Sequence, residues 1–362
     1  MEKKCRVGIL GATGMVGQRF IQLLENHPWF EITVLAASER NVGKTYETAV
    51  AGRWMMDTPI PKSISDMKLR LVTDIEGIKK DVDFVFSAVD MEKKEICAFE
   101  EAFAKAEVPV VSNNSAHRWT PDVPMLMPEI NIEHLEVIKA QRERLGCKHG
   151  FIVVKPNCSI QSYTPMLAAL KEYEPVSVVA TTYQAISGAG KNFETWPEMV
   201  GNVIPYIGGE EEKSEKEPLR ILGTVENGQI VPATEPVITT QCIRVPVLNG
   251  HMAAVFVNFK KKPTKEQILT AWANYQGEPQ KRNLPHAPKQ FIHYFEEENR
   301  PQVSLDVDTE DGMAIMAGRL REDTIYDYKF IGLSHNTLRG AAGGGLLTAE
   351  LLYSLGYLSL NS

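Results

Sequence analysis

Cys158 is the residue of this chain best placed to act as a nucleophile. It stands in Pro156-Asn157-Cys158-Ser159, directly after the strand-like run Phe151–Lys155. Beyond it, Ile160, Tyr163, Met166, Leu167 and Leu170 repeat at helical spacing. A cysteine at such a junction meets the positive end of a helix dipole, which favours the thiolate and lowers the thiol pKa. Cys5 and Cys242 lie in strand-like runs and Cys97 within a helix. Cys147, near His149 in a polar turn, is the one rival. Position alone leaves two readings of Cys158 open: a nucleophile, or a small buried residue. The five cysteines have no paired spacing, and neither Cys-x-x-Cys nor His-Glu-x-x-His occurs. No disulfide framework and no metal site is expected, and a reducing compartment fits.

A second chemistry is written in Gly8-Ile9-Leu10-Gly11-Ala12-Thr13-Gly14-Met15-Val16-Gly17, between the first strand-like and the first helix-like run. Glycines at this spacing permit a tight turn whose N–H groups approach a pyrophosphate at a helix N-terminus. Gly11, Thr13, Gly14, Met15 and Val16 are therefore candidate cofactor contacts. A glycine-rich turn without ligand is the alternative, and the strand–turn–helix context favours the nucleotide. Cofactor choice is read after the second strand, at Ser38-Glu39-Arg40. Ser38 can hydrogen-bond a 2′-phosphate and Arg40 can neutralise it, which points to NADP if Glu39 turns to solvent.

The elements that must position these residues change character midway. Arg6–Leu10, Ile32–Ala37, Val82–Val89 and Val108–Ser112 read as buried strands, and Ile96, Phe99, Ala102, Phe103 and Ala106 mark an amphipathic helix between Glu92 and Glu107. That alternation implies a mainly parallel sheet covered on both faces. Further on, Val176–Thr182, Gln241–Val247 and His251–Phe259 are strand-like, with Leu248-Asn249-Gly250 as a turn. Thr264–Tyr275 reads as a helix with Thr264 and Gln267 in capping-box positions. The charged stretch Glu210–Glu217 reads as a solvated loop or helix face. Leu338–Leu358 reads as a terminal helix packing back on the first domain, weakened by Gly343-Gly344-Gly345. The expected class is α/β: a Rossmann-type dinucleotide-binding domain over 1–157, completed by 336–362, and an α+β domain over 158–335.

At 362 residues the chain is long enough for two such domains. A net charge of −7 argues against a nucleic-acid binder. No apolar run reaches the roughly 18 residues of a membrane span. The strand-like run begins almost at Met1, leaving no room for a signal peptide, so a cytoplasmic protein is expected.

Taken in order, the Gly11–Gly17 turn, Pro156-Asn157-Cys158-Ser159, Ser187-Gly188-Ala189-Gly190, the pair Arg244 and His251, and Asn336 with Arg339-Gly340-Ala341-Ala342 resemble the aspartate-semialdehyde dehydrogenase family across essentially the whole chain. The Glu210–Leu222 segment is more similar to its archaeal and fungal branch. The resemblance implies a second domain of the glyceraldehyde-3-phosphate-dehydrogenase-like type, used for catalysis and dimerisation. It implies NADPH-dependent, reversible reduction of L-4-aspartyl phosphate to L-aspartate-4-semialdehyde through a Cys158 thioester. That step belongs to lysine (with diaminopimelate), threonine and methionine biosynthesis.

The same resemblance assigns roles. His251 is the general acid/base and Gln184 orients substrate. Arg244 holds the α-carboxylate and Glu217 the α-ammonium. Arg220, as the basic end of a Glu-x-x-Lys-like element, and Arg118 with Asn114 hold phosphate. Ser187, Gly188 and Asn336 contact the nicotinamide, and Asn157 with neighbouring N–H groups serves the oxyanion. The implied partners are a small-molecule substrate and inorganic phosphate, with self-association as a homodimer or homotetramer and no nucleic acid or membrane. Competing readings are a malonyl-CoA reductase or an N-acetyl-glutamyl-phosphate reductase of the same plan, and, in another class, a non-catalytic NADP sensor.

Overall fold

The computed structural model describes residues 3–359; expectations touching residues 1–2 and 360–362 lie outside it. Six strands, β1 (Cys5–Leu10), β2 (Phe30–Ala37), β3 (Arg70–Leu71), β4 (Phe84–Ser87), β5 (Val110–Ser112) and β6 (Ile152–Val154), form one sheet in the order β3-β2-β1-β4-β5-β6. Every pairing in it is parallel. Alternate residues explain why these short runs are mostly apolar, with Arg6, Glu31 and Arg70 as exceptions. Leu10, Val34, Val85 and Val110 face the helix Lys93–Lys105 through Phe99 and Phe103. Ile9, Leu35, Phe86 and Val111 face the helices Met15–Leu24 and Gly343–Ser354. A strand covered on both sides loses the polar alternation of a one-sided sheet.

The terminal helix therefore does pack on the first sheet, and its glycines have a steric reason. A Cβ on Gly345 would come within 2.9 Å of the Phe20 ring, and one on Gly344 within 3.1 Å of Lys155 Cε. Close approach outweighs the roughly 1 kcal/mol of helix propensity that each glycine costs.

The second sheet is mixed. β7 (Pro175–Gln184), β10 (Val237–Arg244), β11 (His251–Phe259), β12 (Ile292–Phe295), β13 (Ile315–Glu322) and β14 (Tyr328–Ser334) run in the order β10-β7-β11-β14-β13-β12. β8 (Thr224–Glu226) and β9 (Gln229–Val231) make a separate ribbon. Residues of β7 and β11 alternate between buried and half-buried, so one face of this sheet is packed and the other is partly open. β11 spans the expected residues, and the capping box is present: Gln267 N–H donates to Thr264 Oγ1 at 3.2 Å and Thr264 N–H to Gln267 Oε1 at 2.7 Å.

Two expectations are corrected. The strand expected over Gln241–Val247 lies at Val237–Arg244. After Arg244 the chain turns, with Val247 N–H bonded to Val245 C=O, around Pro246, which has no N–H to give a ladder. The charged stretch from Glu210 is a 12-residue helix, Glu210–Ile221, and not a solvated face: Glu210, Ser214, Glu217 and Arg220 are all buried.

Candidate active site

β6 delivers the chain to Cys158, which caps a single 3-10 turn, Ser159–Ser162, ahead of the short helix Thr164–Ala168. The expected dipole effect is therefore small, because one turn aligns few peptide units. Burial pushes the thiol up, Glu210 adds to that, and Lys155, Arg118 and Arg244 oppose it. The expectation that the helix end lowers the thiol pKa is thus overturned.

The end of the second sheet meets Cys158 from the other side. Register places Gln184 beside Arg244 at the ends of β7 and β10, and His251 opens β11. His251 Nε2 lies 3.4 Å from Cys158 Sγ. Its Nδ1 accepts the Ala185 N–H at 3.0 Å, so the proton of the neutral ring sits on Nε2, facing the sulfur. Burial, then Arg244, pushes His251 down to about 3. Arg244 donates to the Ala185 carbonyl at 2.6 Å and stands behind Gly188, where a Cβ would be 3.3 Å from its Nη1.

A cleft of about 310 Å³ opens over Cys158. The expected residues Met15, Val16, Asn114, Arg118, Ser187, Gly188 and Asn336 line it. Asn336 bridges the Gly250 N–H (2.7 Å) and the Ser187 hydroxyl (2.8 Å), tying the cleft wall to the residue before His251. Asn114 donates to Ser87 Oγ and to the buried Glu100. Gln184 donates to Thr182 Oγ1 at 3.2 Å and reaches Glu210 Oε2 at 3.4 Å.

Three expected placements differ. Glu217 does not line the cleft: its carboxylate accepts from Arg118 (2.9 Å) and from the Asn157 N–H (2.7 Å) beneath it. Arg220 points away and donates to the carbonyls of Thr120 (2.6 Å) and Val123 (3.1 Å). Asn157 is committed elsewhere, accepting from the Ser159 N–H and hydroxyl and donating to Glu210. The Cys158 N–H has no acceptor among the described residues, which leaves it free for an oxyanion. The residues missed are Glu210 and Lys213. They line the cleft, pair at 2.8 Å, and share the Glu-x-x-Lys spacing two turns earlier on the same helix.

The glycine turn lies where strand order reverses between β1 and β4, the position at which open α/β sheets bind ligands. Gly11 has φ +87°, and a Cβ there would sit 2.3 Å from the Ala88 carbonyl oxygen. A second hollow of about 390 Å³ is lined by Gly11, Thr13, Gly14, Ser38, Arg40 and Arg53. Glu39 is exposed and absent from that lining. A hydroxyl and two guanidinium groups fit the 2′-phosphate of NADP, with the pyrophosphate at the helix start beside Gly14.

Fold and site together define a two-domain nicotinamide oxidoreductase with a cysteine at the floor of its cleft. The profile "Semialdehyde dehydrogenase, NAD binding domain" matches residues 6–138, and "Semialdehyde dehydrogenase, dimerisation domain" matches 165–339. The chain is 43% identical to an aspartate-semialdehyde dehydrogenase of Schizosaccharomyces pombe, over 98% of this chain and 99% of the relative. It is also 43% identical to one of Methanothermobacter thermautotrophicus, over 96% and 98%. A solved structure of the Candida albicans enzyme with NADP superposes with a TM-score of 0.88 at 37% identity, covering 98% of this chain and 100% of that one. This chain belongs to the aspartate-semialdehyde dehydrogenase family. Its second sheet falls in the dimerisation half, and no helix among the described residues is long and apolar enough to cross a membrane.

Proposed function

We propose that the protein reduces L-4-aspartyl phosphate to L-aspartate-4-semialdehyde, reversibly and with release of phosphate, using NADPH and a thioester on Cys158. The observation that carries this reading is the cleft in which Cys158 Sγ faces His251 Nε2 at 3.4 Å while the same walls reach Met15 and Val16 at the cofactor turn. Bound at that turn, NADPH supplies hydride to the acyl carbon. The Cys158 thiolate forms the C–S bond as the C–O bond to phosphate breaks, and the Cys158 N–H holds the developing oxyanion. His251 stays neutral and donates through Nε2, first to sulfur and then to the oxyanion.

Substrate contacts follow from charge and position. Arg244, with one arm on the Ala185 carbonyl, presents the rest of its guanidinium to the α-carboxylate. Glu210, in preference to Glu217, takes the α-ammonium in this reading, and Lys213, in preference to Arg220, joins Arg118 and Asn114 around the phosphate, because Glu210 and Lys213 line the cleft. Glu217 instead holds Arg118 in position. The family implies a homodimer or a dimer of dimers in the cytoplasm.

The test is phosphate-dependent NADP reduction with L-aspartate-4-semialdehyde, run beside malonyl-CoA-dependent NADPH oxidation. Turnover of the semialdehyde, lost in Cys158→Ser while NADP still binds, is the expected result. Turnover of malonyl-CoA alone would overturn the substrate and the roles of Glu210 and Arg244.

A further inference from the structure

Gln18 lies in the first turn of the helix Met15–Leu24 and is 1% exposed. Three backbone groups engage its carboxamide. Nε2 donates to the carbonyls of Thr13 (3.1 Å) and Arg53 (2.9 Å), and Oε1 accepts the Met55 N–H at 2.8 Å. Both amide hydrogens and the oxygen are therefore used, and the reverse orientation would set Oε1 against two carbonyls. Thr13 belongs to the glycine turn, and Arg53 and Met55 to the segment after the short helix Tyr46–Val50. The same two parts are joined a second time, because the buried Tyr46 hydroxyl donates to the Ala12 carbonyl at 2.9 Å.

Both ends of this link line the second hollow, Thr13 at the turn and Arg53 beside Ser38 and Arg40. One arm of Arg53 rests on the Ala49 carbonyl, and neither Arg40 nor Arg53 makes an ion pair among the described residues. One carboxylate, Asp90, shares the lining, and the two guanidinium groups outweigh it. The Arg53 side chain is exposed, yet its backbone is held from below by a buried amide. An arginine whose backbone is already fixed loses less freedom on meeting an anion than one on a free loop.

We propose that Arg53 is a specificity-determining contact to the 2′-phosphate of NADP and that Gln18 is the residue that positions it. This rests on the reading of the second hollow as the 2′-phosphate site. Arg40 comes from the turn after β2 and Arg53 from the segment after Tyr46–Val50, so two separate stretches of chain hold one phosphate. NAD carries a hydroxyl at that position and gives Arg53 no charge to bind. Thr13, in contrast, stands at the pyrophosphate turn, which both cofactors use. Gln18 thus touches one group common to the two cofactors and one that tells them apart.

The experiment is the Kd for NADP and for NAD, measured by fluorescence quenching on the full chain without substrate. Arg53→Met should weaken NADP about tenfold or more and leave NAD unchanged. Gln18→Met keeps the length of the side chain without its hydrogen bonds, and should lower the preference for NADP over NAD about threefold or more. In the double variant the preference should fall no further than in Arg53→Met alone, because Gln18 reaches the phosphate only through Arg53. Equal weakening of both cofactors in Gln18→Met would reduce Gln18 to a support of the turn and overturn its positioning role. An unchanged preference in Arg53→Met, whose side chain is exposed and whose folding is not at risk, overturns the proposal without any buried substitution. Arg40→Met separates that failure from failure of the site itself. If Arg40→Met lowers the preference where Arg53→Met does not, the hollow keeps its assignment and only the role of Arg53 falls. If neither does, the 2′-phosphate lies elsewhere and both readings fall.

Discussion

At the scale of single residues, the cleft separates side chains that line it from side chains that brace it, and charge alone does not tell them apart. Lys213 and Arg220 are both basic, on one helix, seven positions apart. Lys213 lines the cleft against Glu210, whereas Arg220 spends its guanidinium on the carbonyls of Thr120, Val123 and Ile230 and has an unpartnered Nε. Lys213→Met should therefore raise the KM for phosphate about tenfold or more, the loss of one charge-assisted contact, with little change in urea midpoint. Arg220→Met should do the reverse. It strands the buried carbonyl of Val123, at about 1–3 kcal/mol, and leaves KM nearly unchanged. Phosphate kinetics and urea unfolding on the two variants decide it, and an Arg220→Met protein that folds normally but loses phosphate affinity would restore the original assignment. Cys158, His251, Arg244 and Gln184 were legible because their motifs stand in fixed order along the chain. Glu210 and Lys213 were not, because Glu217-Pro218-Leu219-Arg220 offers the same acid-x-x-base spacing on the same helix face, and only the position along the helix axis decides which pair reaches the cleft.

At the scale of elements, that helix shows where periodicity reading fails. Positions 210, 214, 217 and 221 form one buried stripe at helical spacing, but it is built of Glu, Ser, Glu and Ile. A search for apolar repeats passes over it, because its burial is supported by Arg118 and the Asn157 N–H in place of hydrocarbon. The glycine turn was readable for the opposite reason: a backbone constraint leaves its mark directly in residue type. Gly11 tests that constraint. Gly11→Ala puts a methyl 2.3 Å from the Ala88 carbonyl oxygen at a φ of +87°. The turn must shift, and NADP affinity should fall by about 100-fold, some 2.7 kcal/mol. Titration with NADP followed by fluorescence quenching would measure this. Unaltered affinity would mean that the turn does not cradle the cofactor.

Across the whole molecule, five histidines are buried among the described residues, and four of them, His27, His134, His251 and His335, have a ring nitrogen that faces a hydrogen-bond donor. Nδ1 of His27 accepts the Trp29 and Phe30 N–H groups, that of His335 the Thr337 and Leu338 N–H groups, and that of His251 the Ala185 N–H. His134 Nδ1 meets the Asn131 amide, and its Nε2 the Gly223 carbonyl. A second proton on any of these rings would have to displace a donor in a buried site. Burial pushes His251 to about 3 and His335 to about 4, and lowers His27 and His134. The unfolded chain, with imidazoles near 6.5, binds more protons than the folded one below that pH. Stability is therefore full above about pH 6.5 and falls as pH drops, by about 1.4 kcal/mol per histidine per pH unit. From pH 6.5 to 4.5, His251 and His335 alone remove about 5 kcal/mol, comparable to the whole stability of many domains. The window matters, because Glu350, which binds His27 and His286, is held below the usual carboxylate range and protonates only at lower pH. Urea midpoints measured from pH 7.5 to 5 should decline steadily from about 6.5 downward. The slope should shrink in His335→Asn, whose amide can keep a local hydrogen bond without titrating. A flat midpoint across that interval would mean that these rings take up protons in the folded protein.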